Sequence, residues 1–213
     1  MSRAFDLSIY LVTDPRLTAR RGLMATVAQA VAGGVTLVQL RDPDAKGRAL
    51  VETARALGAL LRPLGIPLII NDRVDVALAA DADGVHLGQD DIDPAAARAQ
   101  LGPERILGLS VGTPGELAAS DLSSVDYVGV GPIRATGTKA DAGGAIGLDG
   151  LREMRRRIAL PLVAIGGLTA TEARAVIQAG ADGLAVVSAL CSAPDVTAAA
   201  RHLAEEVRAA RSS

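Results

Sequence analysis

Two textures alternate along this chain from end to end, and that alternation limits the fold more than any other feature. Short apolar runs rich in Val, Ile and Leu predict strands at 9–13, 35–40, 68–71, 84–87, 106–110, 127–131, 162–165 and 183–187. The runs are continuous rather than alternating, as expected of strands covered on both faces in a parallel sheet. Between them, Ala/Leu/Arg segments with helical spacing predict amphipathic helices at about 23–32, 48–64, 74–80, 94–101, 115–120, 149–157, 171–179 and 196–210. Eight strands, each followed by a helix, predict one (β/α)8 TIM barrel occupying 1–213 as a single domain. The competing architecture is an open doubly wound sheet.

A weak internal repeat supports the count. Ala30-Val31-Ala32-Gly33-Gly34-Val35, Ala80-Asp81-Ala82-Asp83-Gly84-Val85 and Gln178-Ala179-Gly180-Ala181-Asp182-Gly183-Leu184 each end a helix in small residues before a new strand begins. No low-complexity stretch or linker divides the chain.

Composition removes several classes of function. Of the 213 residues 49% are hydrophobic, enough for a large core, yet there is one Phe, two Tyr and no Trp, so no aromatic platform for single-stranded nucleic acid. A formal net charge of −2 gives no basic field for nucleic acid or a membrane surface. Arg62, Pro63 and Pro67 break the best apolar run, so no membrane span is expected. Residues 1–7 show no charged segment leading into an apolar one, so no secretory leader is expected either. The one cysteine, Cys191, has no internal disulfide partner and reads as a small packed residue. A reducing cytoplasm fits these features, and homo-oligomerisation is left open.

In a barrel of parallel strands, chemistry is placed on the residues just after the C-terminal end of each strand. Those positions hold, in order, Thr13-Asp14, Gln39 with Arg41, Asn71-Asp72, Gly88-Gln89-Asp90-Asp91, Ser110, Gly131 leading to Thr136-Gly137-Thr138-Lys139, Gly166-Gly167, and Ser188. The opposite loops hold mostly Ala, Gly, Leu and Pro. Polar residues are ordinary in any loop, but that does not explain their concentration at one mouth.

Three parts of this list predict roles. Asp72 and Asp91, past the neighbouring third and fourth strands, suit Mg²⁺, which keeps waters and takes substrate phosphate oxygens. His86 is not needed there; within its strand it reads as a packed imidazole or one acting through a neighbour. Gly166-Gly167, with Val187-Ser188 on the next loop, predicts a backbone cradle for phosphate, because glycine lets N–H groups approach an anion. The sixth loop, from Gly131 through Thr136, Thr138 and Lys139 to Gly144, reads as a mobile lid over an anionic ligand. Arg41 and Lys139 supply further charge for phosphate. Two anionic substrates, or one with phosphates at both ends, are implied. No nucleophile is paired with a base: His202 falls in the terminal helix, and Arg98, Arg152, Arg155 and Arg157 read as solvated helix faces.

Taken together, Tyr10-Leu11-Val12-Thr13-Asp14, Val38-Gln39-Leu40-Arg41, Ile70-Asn71-Asp72, Ala82-Asp83-Gly84-Val85-His86-Leu87-Gly88-Gln89, Thr136-x-Thr138-Lys139, Ala164-Ile165-Gly166-Gly167 and Val187-Ser188-Ala189 resemble the thiamine phosphate synthase family, in register from about 9 to 190. The resemblance implies a transferase that joins 4-amino-2-methyl-5-(diphosphooxymethyl)pyrimidine to a thiazole phosphate and releases diphosphate. It implies that Gln39, Arg41, Asn71, Ser110 and Lys139 contact the pyrimidine diphosphate, with Arg41, Ser110 and Lys139 acting in catalysis. It places Mg²⁺ on Asp72 and Asp91, and the thiazole phosphate on Thr136, Thr138, Gly167, Val187 and Ser188. Loss of diphosphate through a cation-like transition state needs charge neutralisation and an aligned nitrogen rather than a strong base, as the inventory offers.

The family pattern has a lysine two residues beyond the arginine, where this chain has Pro43. Lys46 could reach back to replace it. Asp44 reads as a helix N-cap instead, with Lys46 in the first turn on a solvated face. Two rival functions use the same barrel: a thiazole tautomerase, which needs the phosphate cradle but not Asp72, Asp91 and Lys139 as a set, and a non-catalytic phosphometabolite-binding barrel.

Overall fold

The computed structural model describes residues 5–136 and 144–212. The strands are β1 (Ile9–Val12), β2 (Leu37–Leu40), β3 (Leu68–Asn71), β4 (Gly84–Leu87), β5 (Ile106–Val111), β6 (Tyr127–Val130), β7 (Leu162–Ile165) and β8 (Gly183–Val186). Each pairs in parallel with the next, and β8 pairs with β1 through Ile9↔Leu184 to Leu11↔Val186, which closes the barrel and excludes the open sheet.

Around it stand α1 (Pro15–Thr18), α2 (Leu23–Ala32), α3 (Gly47–Leu61), α4 (Val74–Ala80), α5 (Pro94–Leu101), α6 (Pro114–Ala119), α7 (Gly147–Arg157), α8 (Ala170–Gln178), α9 (Ser188–Cys191) and α10 (Val196–Arg211). The helix expected to run to residue 64 tightens after Leu61 into a 3₁₀ turn, Arg62–Leu64, where Pro63 has no N–H for an α-helical bond. The short helices α1 and α9 and the 3₁₀ turn Leu122–Ser124 are too brief to show periodicity in the sequence. The start of α1 is nevertheless built from local chemistry: Asp14 accepts from the N–H groups of Arg16 (2.9 Å) and Leu17 (3.1 Å), with Pro15 at the first helical position.

Strand alternation sorts the apolar residues into two cores. Ile9 and Leu11 face the helices, whereas Tyr10, Leu37, Ile69, Ile106, Tyr127 and Val163 fill the barrel interior. The interior accommodates the Tyr127 ring and the His86 imidazole because β5 and β6 offer glycine beside them. A Cβ on Gly108 would stand 2.2 Å from Tyr127 Cζ and 2.5 Å from His86 Nδ1.

The opposite, N-terminal mouth is fastened by a device repeated around the barrel. The residue just before each even-numbered strand accepts a hydrogen bond from an N–H at the start of the preceding odd-numbered one. Thr36 accepts from Ile9 (3.0 Å), Asp83 from Leu68, Asp126 from Leu107 and Asp182 from Leu162 (2.8 Å each). The Ala-Asp-Gly repeats thus do more than turn the chain.

Two of these aspartates overturn part of the solvated-arginine reading. Arg98 is mostly buried: it meets Asp126 at 2.7 Å and donates to the carbonyls of Ser124, Gly102 and Arg105. Arg155 is similarly engaged with Asp182 (3.2 Å) and the Ile158 carbonyl. Both lie near helix ends, where a long guanidinium reaches the following loop and its orphan carbonyls. Arg152 and Arg157 remain exposed, paired with Asp149 and Glu153.

The entry to α3 also departs from expectation. Asp44 caps nothing: α3 starts at Gly47 with no side-chain cap, and Asp42 instead accepts from the N–H groups of Asp44 (3.2 Å) and Ala45 (3.1 Å), closing a turn ahead of the helix that Pro43 pre-sets. Lys46 is then itself the residue preceding Gly47, exposed and outside the cavity wall described below. Lys46→Ala is expected to change kcat/KM by less than about fivefold, roughly 1 kcal/mol. A hundredfold loss specific to the diphosphate substrate would instead make Lys46 a ligand.

Cys191 is buried, its thiol pushed up to about 11 chiefly by burial, in keeping with a packed residue. Among the described residues no helix is long and apolar enough to cross a membrane.

Candidate active site

A cavity of about 360 Å³ opens at the C-terminal mouth, and the strand-end polar residues converge on it. Gln39, Arg41, Asn71, Asp72, Ser110, Thr136, Gly167, Val187 and Ser188 all line its wall. A more open hollow of about 510 Å³ lies on the outer flank around Arg55, Arg62 and Asp81. There the guanidiniums are spent on the end of α4, on the Ala79 and Asp81 carbonyls, so nothing is left aimed at a ligand.

On the β1–β2 side, Thr13 Oγ1 accepts from Arg41 N (3.0 Å), fixing the backbone from which the Arg41 side chain departs. At the end of β3, Asp72 adopts a left-handed backbone (φ 61°), and its N–H donates to the His86 carbonyl at 2.9 Å. Asn71 Nδ2 donates to Asp72 Oδ2 at 2.6 Å, which orients the carboxylate. Past β4, Asp91 Oδ2 accepts from Gly88 N (2.6 Å) and closes the turn, while Asp90 takes the place on the cavity wall. Gln89 Nε2 donates to the Ser110 carbonyl (2.7 Å) and ties that turn to β5.

Facing these, Gly166 (φ 103°) and Gly167 (φ 64°) turn the loop after β7 in two successive left-handed steps. A Cβ on Gly167 would meet Arg134 Cβ at 2.8 Å and the Ala135 carbonyl at 2.9 Å. The sixth loop packs directly on this turn. Ile133 N donates to the Ile165 carbonyl (2.9 Å), Arg134 N to the Gly166 carbonyl (3.0 Å), and Arg134 pairs with Glu172 at 2.6 Å. Burial pulls the Glu172 carboxyl up, but hydrogen bonds from Thr169 and the Arg134 charge bring it below its ordinary value, so the pair is ionised. Thr138 and Lys139, with the proposed lid around them, lie outside the described residues.

The sequence reading missed what supports the floor of the cavity. Gln39 Nε2 donates to Tyr10 Oη (2.7 Å), and Tyr10 Oη meets Tyr127 Oη (2.8 Å). Tyr127 Oη meets His86 Nδ1 (2.9 Å), and His86 Nε2 meets Ser110 Oγ (2.9 Å). A continuous polar line therefore crosses the barrel interior from β2 to β5. Burial above all pushes the Tyr10 and Tyr127 hydroxyls well above the ordinary phenol range, so both keep their protons. One signal was available: the chain has only two tyrosines, and both fall at inward strand positions.

Residues 9–190 match the family model described as thiamine monophosphate synthase. The chain belongs to that family. It is similar to the thiamine-phosphate synthases of Azorhizobium caulinodans, at 71% identity over 99% of this chain and 100% of that one, and of Moorella thermoacetica, at 48% over 95% and 97%. Among solved structures it resembles thiamine phosphate pyrophosphorylase from Pyrococcus furiosus, with a TM-score of 0.87, 38% identity and 96% of each chain covered. The likeness to 3-hexulose-6-phosphate synthase, with a TM-score of 0.68 at 18% identity, shows the shared barrel alone. The chain is accordingly an enzyme, a transferase of thiamine biosynthesis with thiamine-phosphate synthase activity.

Proposed function

We propose that the C-terminal cavity is where a pyrimidinylmethyl diphosphate and a thiazole phosphate condense. The C–O bond to diphosphate breaks and the thiazole nitrogen forms the new bond to the methylene carbon, giving thiamine phosphate and diphosphate. The observation that carries this reading is the convergence on one cavity of two kinds of group: the charged Arg41 and Asp72 with the polar Asn71, and across from them the Gly167 turn with Val187 and Ser188. Two anions can bind there without sharing ligands.

In this reading, Gln39, Arg41, Asn71 and Ser110 hold the pyrimidine diphosphate, joined by Lys139. The thiazole phosphate rests on Gly167, Val187 and Ser188, with Thr136 and Thr138 as its further ligands. Arg41 and Lys139 oppose the charge that grows on the leaving group, which lowers the barrier more than it strengthens ground-state binding.

The donor set fits Mg²⁺. Asp72 is on the cavity wall with one oxygen engaged by Asn71, and Asp91 keeps Oδ1 after giving Oδ2 to Gly88. Among the described residues no cluster of three or more His, Cys, Asp or Glu could enclose a metal alone. Two carboxylates completed by water and diphosphate oxygens match the preference of Mg²⁺, which when bound would neutralise the departing diphosphate. The single barrel domain would work in the cytoplasm, where both phosphorylated substrates are retained.

The test is one incubation of the enzyme with both substrates and Mg²⁺, assayed for thiamine phosphate. Product in stoichiometric step with diphosphate supports the reading. No product, with the thiazole merely isomerised, would support the tautomerase instead, and binding without turnover would support the non-catalytic barrel. Within this scheme, Gly167→Val is expected to raise KM for the thiazole phosphate about tenfold or more, because a side chain at a left-handed position would displace Arg134 and close the phosphate seat. If the pyrimidine KM alone moves, the two halves of the site are exchanged.

A further inference from the structure

We propose that Tyr10, Tyr127 and His86 form a one-way hydrogen-bond line that positions both ends of the pyrimidine site, so that Gln39 presents an acceptor to the ligand and Ser110 presents a donor. The inference rests on the substrate assignment just given for Gln39 and Ser110.

The sense of the line follows from counting hydrogens. Tyr10 Oη receives the Gln39 Nε2–H, and its remaining contact is Tyr127 Oη, so its own proton goes there. Tyr127 Oη, having accepted, donates to His86 Nδ1. The neutral imidazole then carries its proton on Nε2 and gives it to Ser110 Oγ. If Tyr127 donated to Tyr10 instead, the Tyr10 proton would have no acceptor inside a fully buried core. A donor left unmade there would bear its full desolvation penalty. The only other complete arrangement reverses every bond and requires the Gln39 amide to turn over.

Gln39, with Nε2 committed inward, offers its Oε1 to the cavity it lines, and Ser110, with a lone pair committed to His86, offers its hydroxyl proton. The site therefore selects a ligand with an N–H donor at the Gln39 end, such as an amino group on a heteroaromatic ring, and an anionic oxygen at the Ser110 end. A keto analogue of the ring, which places an acceptor against Gln39, would be rejected unless the whole line reversed. Tyr10, Tyr127 and His86 act through Gln39 and Ser110 and are positioning residues.

The first test needs no substrate, so its failure is separate from any failure of the substrate reading. The chain has two histidines, His86 and His202, and His202 is exposed on α10, so a His202→Gln variant leaves one imidazole to observe. Nitrogen NMR of ¹⁵N-histidine-labelled protein is expected to show a protonated Nε2 and an unprotonated Nδ1. A proton on Nδ1 overturns the proposal. The second test is a double-mutant cycle on kcat/KM for the pyrimidine diphosphate. Tyr127→Phe is expected to cost tenfold or more in the parent enzyme and several-fold less in a Ser110→Ala background, because the part of its effect that passes through His86 ends at that hydroxyl. Equal losses in both backgrounds would reduce Tyr127 to a structural role. Should Tyr127→Phe fail to fold, the histidine spectrum still decides.

Discussion

Asp72→Asn is expected to lower kcat/KM at least about a hundredfold, roughly 2.7 kcal/mol of transition-state stabilisation, while the melting temperature barely moves. The separation of these effects comes from the backbone. Residue 72 sits at φ 61°, a conformation that most side chains resist but asparagine tolerates as well as aspartate. The N–H bond to the His86 carbonyl and the bond from Asn71 Nδ2 can both persist, the latter to the amide oxygen. What is lost is the negative charge on the cavity wall and with it the seat proposed for Mg²⁺. Steady-state kinetics across a Mg²⁺ titration, alongside thermal unfolding, measure both halves. Parent enzyme that turns over fully in excess chelator would remove the metal from the scheme.

A second large effect is expected far from the chemistry. Asp126→Ala should destabilise the fold by about 3 kcal/mol, because removing one partner of a buried ion pair leaves the other uncompensated. The side chains of Arg98 and Asp126 are only 19% and 17% exposed, and Asp126 Oδ2 also holds the N–H of Leu107. The guanidinium keeps three carbonyl partners, which places the expected cost at the low end for a buried pair. For a chain of this size that corresponds to a melting temperature lower by about 6–12 °C. Arg98→Ala should cost a similar amount, and the double variant clearly less than the sum. An Asp126→Ala protein melting within a degree of the parent would mean that the N-terminal mouth does not depend on this fastening.

The barrel was legible because each strand is a continuous apolar run and each helix long enough to show its period. Strand order then follows from right-handed crossovers between neighbours. The strand-end list was legible for the same reason: once eight parallel strands are granted, their C-terminal residues must meet. What the sequence did not disclose depends on closure. Alternation marks Tyr10 and Tyr127 as inward, but only the stagger of a closed barrel brings hydroxyls from β1 and β6 within 2.8 Å. Arg98 was read as solvated because helical periodicity locates a Cβ and not the reach of the guanidinium beyond it. The cap expected from Asp44 is absent because α3 starts only at Gly47, and the carboxylate that finds nearby N–H groups is Asp42, in the turn before the helix.

The polar line through the barrel also governs how such a core can change over generations or in a laboratory. Converting any one of Tyr10, His86 or Tyr127 to an aliphatic residue strands a hydrogen or a lone pair on its neighbour, at about 1–3 kcal/mol each time. Stepwise drift toward a greasier, more heat-resistant interior therefore runs uphill at every single substitution, although the fully aliphatic end point could be stable. These positions are expected to be inherited as a block. A selection for thermostability should leave them untouched while it freely rewrites the helix-facing core around them.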